Sequence, residues 1–330
     1  MIRKLSLGFA LVLVVSVGVY MHFHRARGPF EAVYAGERQV TLWSTTAAVR
    51  EPLTTVNFGD RLEVFGRFHG EVKVRTLKGV TGWVDQRELL TADVWQGAKN
   101  LEARAETLPI EARGHTRVLS NLHVEPGRES PRIRQLTKAV SLDLCERQAV
   151  EVPAAAPVAG EEEESGGEPA ENKKEDWWLV RAHTPDQTVL SGWILGRFIE
   201  LDVPSPLPDY ASSAGMRITA WFELNRAMDP SGTAKPQYLV VGTRGPEGQP
   251  CDFTLIRVFT WSAKRQRYET AFVESDVCGK LPVKLSREAL SKAADTTFTF
   301  EDLSQRAPQE RTYRMHQTIV RRVREGKGAR

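Results

Sequence analysis

Residues 71–84 read EVKVRTLKGVTGWV and have the pattern of a β-hairpin. Valine alternates with a charged residue at positions 72–75, which is the two-residue period of a strand with one buried face. A Lys-Gly turn at 78–79 separates this run from Gly82-Trp83-Val84, a second short apolar run. Two extended runs around a glycine turn are typical of paired antiparallel strands.

A similar run lies upstream of this hairpin. Residues 61–65 (RLEVF) also alternate, between a Gly-Asp turn at 59–60 and a His-Gly turn at 69–70. Short strands at this spacing, separated by glycine turns, predict a small antiparallel barrel that spans residues 29–92.

The same plan recurs farther along the chain. Three pairs of segments correspond: 61–65 with 140–145, 71–75 with 177–181, and 81–84 with 191–194. An internal repeat of this kind indicates two copies of one fold, so we expect a second barrel over residues 115–203.

Both copies resemble bacterial SH3-type domains. The residues that carry the resemblance are Asn121-Leu122-His123-Val124 with Pro126-Gly127, the turn at 59–60, the Trp178-x-Val180 strand, and the Gly-Trp endings at 82–84 and 192–194. Two positions depart from the family, since His123 replaces the usual arginine and the first copy opens with Thr41-Leu42-Trp43. The resemblance implies recognition of the cell wall or of peptides.

Residues 153–176 interrupt the second copy. The segment is rich in Pro, Ala, Gly and Glu and has almost no large apolar residue, so it cannot bury enough surface to fold. We expect a disordered acidic insert here. The glutamate run at 161–164 would suit calcium or a basic partner, although a solvated tract is the favoured interpretation.

A linker and a C-terminal domain complete the body of the chain. Good helix formers over residues 94–108, with Pro109 after them, predict a helix within a linker at 93–114. Residues 204–330 read as about seven strands, with one possible helix at 286–293. We expect an antiparallel β-rich domain there, either a sandwich or a meander sheet.

The N-terminal residues 1–28 contain an apolar run at 5–23 without Asp, Glu, Lys or Arg. About 20 helical residues cross a bilayer core. A cleaved signal peptide is the alternative, but the run ends in bulky residues where small cleavage-site residues would lie. We therefore expect an uncleaved single-pass anchor in the cell membrane, with the remainder outside the cytoplasm, in the periplasm or at the cell surface. The fold class is mainly β: an N-terminal transmembrane helix, two small SH3-like barrels and a C-terminal antiparallel β-rich domain.

The chain contains three cysteines: Cys145, Cys251 and Cys278. Cys251 and Cys278 lie in one predicted domain and could form a disulfide in an oxidising compartment, with buried thiols as the alternative. A Cys278 nucleophile is disfavoured, because Pro282 follows closely where a helix would have to begin. No phosphate loop or zinc-ligand spacing is present, so we expect neither a cofactor nor a metal.

Five tryptophans are candidates for ligand binding: Trp43, Trp83, Trp177, Trp178 and Trp193. Aromatic side chains on a small barrel can line a groove for extended or glycan ligands. The alternative is a core role, which we favour for Trp83 and Trp193. Neighbouring strand residues point to opposite faces, so one of Trp177 and Trp178 is expected outside the core.

The net charge of +3 over 330 residues argues against nucleic-acid binding, which needs a strongly basic domain. We expect a non-catalytic envelope protein that binds peptidoglycan or a protein partner through its SH3-like domains. Two rivals remain. One is an accessory or scaffold subunit of an envelope complex that acts through the C-terminal domain, and the other is an envelope hydrolase.

Overall fold

The computed structural model describes residues 31–152, 173–287 and 295–323. Within these ranges the chain is mainly β, with three antiparallel seven-stranded sheets and two α-helices. Contacts divide it into two compact units, the first ending at Gln96 and the second beginning at Gly97. No helix in these ranges is long and apolar enough to cross a membrane. The predicted anchor lies outside them.

The first sheet belongs to the first unit. Its strands are β1 Ala32–Ala35, β2 Gln39–Trp43, β3 Pro52–Asn57, β4 Arg61–Phe68, β5 Glu71–Thr76, β6 Thr81–Asp85 and β7 Leu89–Thr91, in the order β3-β2-β6-β5-β4-β1-β7. Alternate apolar residues such as Leu62, Val72 and Val84 form its core and are fully buried. The predicted turn at 59–60 is present, and Gly59 has a φ of 83° that glycine adopts without steric cost.

The predicted linker helix is helix α1, Ala92–Thr107. Ala98, Leu101 and Ala105 are its buried residues, and their spacing of three and four places them on one face. The predicted linker at 93–114 is too long, however. Residues 112–114 already pair with a strand of the second sheet, so that sheet begins three residues earlier than expected.

The second sheet repeats the topology of the first. Its strands are β8 Ala112–Thr116, β9 Ser120–His123, β10 Arg132–Leu136, β11 Ser141–Glu151, β12 Lys174–His183, β13 Val189–Leu195 and β14 Ile199–Leu201. Their order, β10-β9-β13-β12-β11-β8-β14, is that of the first sheet with every strand seven places later. Trp83 pairs with Lys73, and Trp193 pairs with Leu179, which confirms the predicted alignment of the two copies.

The predicted disordered insert at 153–176 extends too far. Strand β12 begins at Lys174, and the side chains of Glu175 and Asp176 are buried. The charges are tolerated because Glu175 binds Arg128 and Arg197 and Asp176 binds Arg147. The prediction is therefore wrong for residues 174–176, and residues 153–172 lie outside the described residues.

The third sheet is a meander in which each strand pairs with the next in sequence. It follows helix α2, Leu207–Ser213, and consists of β15 Arg217–Met228, β16 Ala234–Thr243, β17 Phe253–Ser262, β18 Arg267–Arg287, β19 Thr296–Asp302, β20 Gln309–His316 and β21 Ile319–Val323. Helix α2 was not predicted from the sequence; its Leu207 and Ala211 are buried. Of the possible helix at 286–293, residues 286–287 are in β18 and the rest lies outside the described residues.

Two glycine turns of the first sheet allow a matched test of packing. A Cβ on Gly59 would lie 2.6 Å from the Trp95 ring, whereas a Cβ on Gly79, whose φ of 85° is almost the same, meets nothing within 4 Å. We expect Gly79→Ala to cost about 1 kcal/mol of unfolding free energy and Gly59→Ala about 2 to 3 kcal/mol, since the second also displaces the indole. Urea unfolding followed by fluorescence measures both. Equal losses would contradict the packing role of Trp95.

Candidate ligand-binding surface

The outer face of the first sheet carries partly exposed aromatic rings. Trp43 and Trp83 are register partners on β2 and β6, so their side chains lie side by side on one face. Lys73 is the partner of Trp83 on β5 and extends the row. We call this region the aromatic-cationic surface, defined by Trp43, Arg50, Phe65, Lys73, Arg75 and Trp83.

Each ring of this surface lies beneath a cation. The Arg50 guanidinium carbon is 4.5 Å from the ring centre of Trp43, and the Lys73 ammonium is 5.8 Å from that of Trp83. The Arg75 guanidinium carbon is 4.0 Å from the centre of Phe65. Cations at these distances are attracted to the ring faces. The surface therefore offers flat apolar rings next to positive charge, which suits a ligand with sugar-like rings and carboxylates.

The core role favoured for Trp83 is wrong, because its side chain is only half-buried. Gly82 and Val84 on either side of it are buried, so strand alternation turns Trp83 outward. The sequence contained half of this signal, since Val72 and Val74 predict an outward Lys73. The other half is the pairing of Lys73 with Trp83, which the structure shows.

In the second sheet the equivalent face is covered. Trp193 pairs with His123 on one side and Leu179 on the other, as Trp83 pairs with Trp43 and Lys73. The exposed fraction of Trp193 is 2%, which confirms its predicted core role, and Leu179 is fully buried. Helix α1 lies against this face: Arg181 donates a hydrogen bond to the Ala105 carbonyl.

Both Trp177 and Trp178 are buried, with exposed fractions of 2% and 6%. The expectation that one would lie outside the core is wrong, because both faces of β12 are covered. The Trp177 ring contacts His123 edge-on at 5.4 Å and lies under loop 125–131. Trp178 faces a cleft of about 570 Å³ between the second and third sheets. Of the five candidate ligand-binding tryptophans, three are therefore buried, and the accessible ones are Trp43 and Trp83.

A buried ion cluster lies in that cleft. The Arg147 side chain is 5% exposed, and its guanidinium nitrogens lie 2.5 Å from an Asp176 oxygen and 2.9 Å from an Asp252 oxygen. Asp252 also binds the Lys280 ammonium at 3.0 Å and accepts a hydrogen bond from the Leu281 N–H. Because the charges are paired and hydrogen-bonded, the cluster is a structural joint between the two sheets.

Glu111 lies near this cluster without a full set of partners. It is 4% exposed, and its Oε1 has no hydrogen-bond partner among the described residues. Burial raises the pKa of Glu111 to about 7, and the negative charge of Asp252 adds to the effect.

The cysteines offer no free surface thiol. Cys251 and Cys278 form a disulfide, as predicted, so the Cys278 sulfur is not available as a thiolate nucleophile while that bond is intact. Cys145 is buried, and burial raises the pKa of its thiol. Among the described residues, no group of three or more His, Cys, Asp or Glu side chains is placed to hold a metal.

No protein-family model matches the chain, and no curated protein matches it. Among solved structures it is similar to NlpC2 from Trichomonas vaginalis, at 10% identity over 76% of this chain and 97% of that chain, with a TM-score of 0.18. It is also similar to NlpC1 from the same organism, at 8% identity over 76% and 94%, again with a TM-score of 0.18. Likenesses this weak carry no argument about the fold or function of this chain.

Arg147 and Arg217 form a matched pair for testing the joint, since both approach Asp176 but Arg217 is 45% exposed. We expect Arg147→Met to lower the unfolding free energy by about 3 kcal/mol, because it removes the buried cation that Asp176 and Asp252 share and leaves Asp252 with Lys280 alone. Arg217→Met should cost less than about 1 kcal/mol. Denaturant unfolding measures both, and a small loss for Arg147→Met would contradict the structural role.

Glu111 predicts a pH dependence of stability. A carboxyl group whose pKa is raised in the folded state stabilises the fold below its unfolded pKa, and that contribution is lost as the pH rises through about 7. We expect Glu111→Gln, which cannot ionise, to be more stable than the wild type by about 2 kcal/mol near pH 8 and similar to it near pH 5. Urea unfolding at both pH values measures this, with the exposed Glu106→Gln as control. If the unfolding free energy of Glu111→Gln changed with pH as much as that of the wild type, Glu111 would not be the source of the pH dependence.

Proposed function

We propose that this chain is a non-catalytic, membrane-anchored protein of the cell envelope that binds peptidoglycan through the aromatic-cationic surface. The first and second sheets would act as SH3-like barrels, and residues 5–23 would hold the chain at the membrane with the rest outside the cytoplasm. The observation that carries the proposal is the partly exposed pair of Trp43 and Trp83 beside Lys73 on the first sheet. The equivalent face of the second sheet is buried.

The chemistry of peptidoglycan fits this surface. Its sugar rings have apolar faces that can stack on the two neighbouring indoles, and its peptide stems carry carboxylates that can pair with Lys73. Arg50 is already paired with Glu71 at 2.8 Å. Single contacts of this kind at an exposed surface are worth only about 1 kcal/mol each. Useful retention would therefore come from repeated contacts along a polymer, which peptidoglycan provides.

Cosedimentation of the detergent-solubilised full chain with purified peptidoglycan tests the proposal. We expect Trp43→Ala and Trp83→Ala each to lower the apparent affinity about tenfold, the effect of losing a central aromatic contact. Leu77→Ala is the matched control, because Leu77 is an apolar residue of the same unit that is 79% exposed at a turn. Thermal unfolding of each variant checks that the fold is intact.

Two results would remove the proposal: failure of the wild type to sediment with peptidoglycan, or retention of both tryptophan variants at the wild-type level. A rival hypothesis is that the C-terminal domain makes the binding contact. Deleting residues 204–330 is not a suitable test of it. It would remove Asp252 and leave Arg147 without one of its two carboxylates, so loss of binding and loss of folding would be confounded.

A further inference from the structure

One face of the third sheet carries a second group of aromatic rings, which the proposed function does not use. Tyr238 and Phe259 are register partners on β16 and β17, and Trp261 and Tyr268 are partners on β17 and β18. Because Phe259 and Trp261 are two residues apart, all four rings share one face of the sheet.

Helix α2 covers only one end of this face. Its Tyr210 stacks on Phe259 at a centroid distance of 5.7 Å, and Phe259 is buried. Beyond the helix, Trp261 and Tyr268 remain partly exposed and contact each other at 5.3 Å. A cleft of about 600 Å³ opens there, lined by rings together with Pro206.

These rings are fixed by their neighbours. Trp261 donates its indole N–H to Asp229 at 3.2 Å, and the rings of Tyr238 and Tyr268 contact each other at a centroid distance of 5.6 Å. The rings are therefore held in place, which lowers the entropy cost of binding a ligand. What they present to the cleft is their apolar faces.

Two cations line the cleft. Lys235 places its ammonium 4.9 Å from the Trp261 ring centre, and Arg267 is exposed at the rim, where it lies 3.5 Å from Glu269. The buried carboxylate of Asp229 lies beside the Trp261 ring. The described residues that line this cleft include both cations and no carboxylate. A neighbouring cleft shares Tyr210, Arg267 and Tyr268 and adds Arg257 and the carboxylate of Glu269. The Nε of Arg257 lacks a hydrogen-bond partner among the described residues.

We propose that this aromatic cleft, defined by Tyr210, Lys235, Trp261, Arg267 and Tyr268, binds an acidic glycan. Sugar rings pack on Trp261 and Tyr268, and the sugar carboxylates pair with Lys235 and Arg267. A proline-rich peptide fits less well, because aromatic grooves for such peptides also donate hydrogen bonds to carbonyl groups. Here the Trp261 indole N–H already has a partner in Asp229.

Calorimetric titration of the detergent-solubilised full chain with an oligogalacturonate tests the inference, since this probe is a pure chain of carboxylated sugars. We expect binding that weakens about tenfold in Lys235→Gln and in Tyr268→Leu. Methyl esterification of the probe should weaken it as much as Lys235→Gln does. Lys264→Gln is the matched control, because Lys264 is an exposed lysine of the adjoining turn that lines neither cleft.

The outcomes separate this inference from the proposed function. Trp43→Ala should leave the Lys235-dependent part of oligogalacturonate binding unchanged, while Lys235→Gln should leave the Trp83-dependent part of peptidoglycan retention unchanged. No binding of the free acid, equal binding of its methyl ester, or tighter binding of hexaproline at the same residues would each overturn the acidic-glycan site. Lys235→Gln removes only a partly exposed charge, so it remains informative even if Tyr268→Leu fails to fold.

Discussion

The guanidinium of Arg147 holds the second and third sheets in one arrangement. It projects from β11 and takes one carboxylate from β12 and another from Asp252, just before β17. An ion this deeply buried is tolerated only while its partners stay in place, because the cost of desolvation exceeds what imperfect pairing returns. Sliding one sheet over the other would separate Arg147 from one of its carboxylates. The ion cluster therefore fixes geometry more than it adds stability.

Both faces of the second sheet are covered by neighbouring elements. The third sheet shields Trp178, and helix α1 shields the opposite face of the second sheet near Arg181. The second sheet thus keeps no open aromatic face, although its topology is that of the first. The first sheet has Lys73 where the second has the fully buried Leu179, and it keeps that face exposed. Identical topology has therefore produced a connector in one copy and a candidate binding surface in the other.

The sequence predicted the features that arise from local rules. Alternation and glycine turns located the strands and aligned the two copies, because both depend on neighbouring residues only. These local rules could not predict the burial of both Trp177 and Trp178, because the segments that pack over them, loop 125–131 and the third sheet, are distant in sequence or belong to another sheet. The predicted disordered insert fails at Asp176 for the same reason, because its partner Arg147 is distant in sequence. Trp83 differs from these, since its outward position follows once Lys73 is known to pair with it.

Two surfaces of this chain share one chemical design, an indole ring beneath a lysine, on two different sheets. Exposed pairs of this kind bind weakly one at a time. Weak sites become effective when a ligand repeats along a chain, because the second contact forms at a high local concentration once the first has formed. A polymer with many rings and carboxylates gains most from this arrangement, whereas a single small molecule gains nothing. If both proposed surfaces bind, a polymeric ligand would therefore gain more from this chain than a small one.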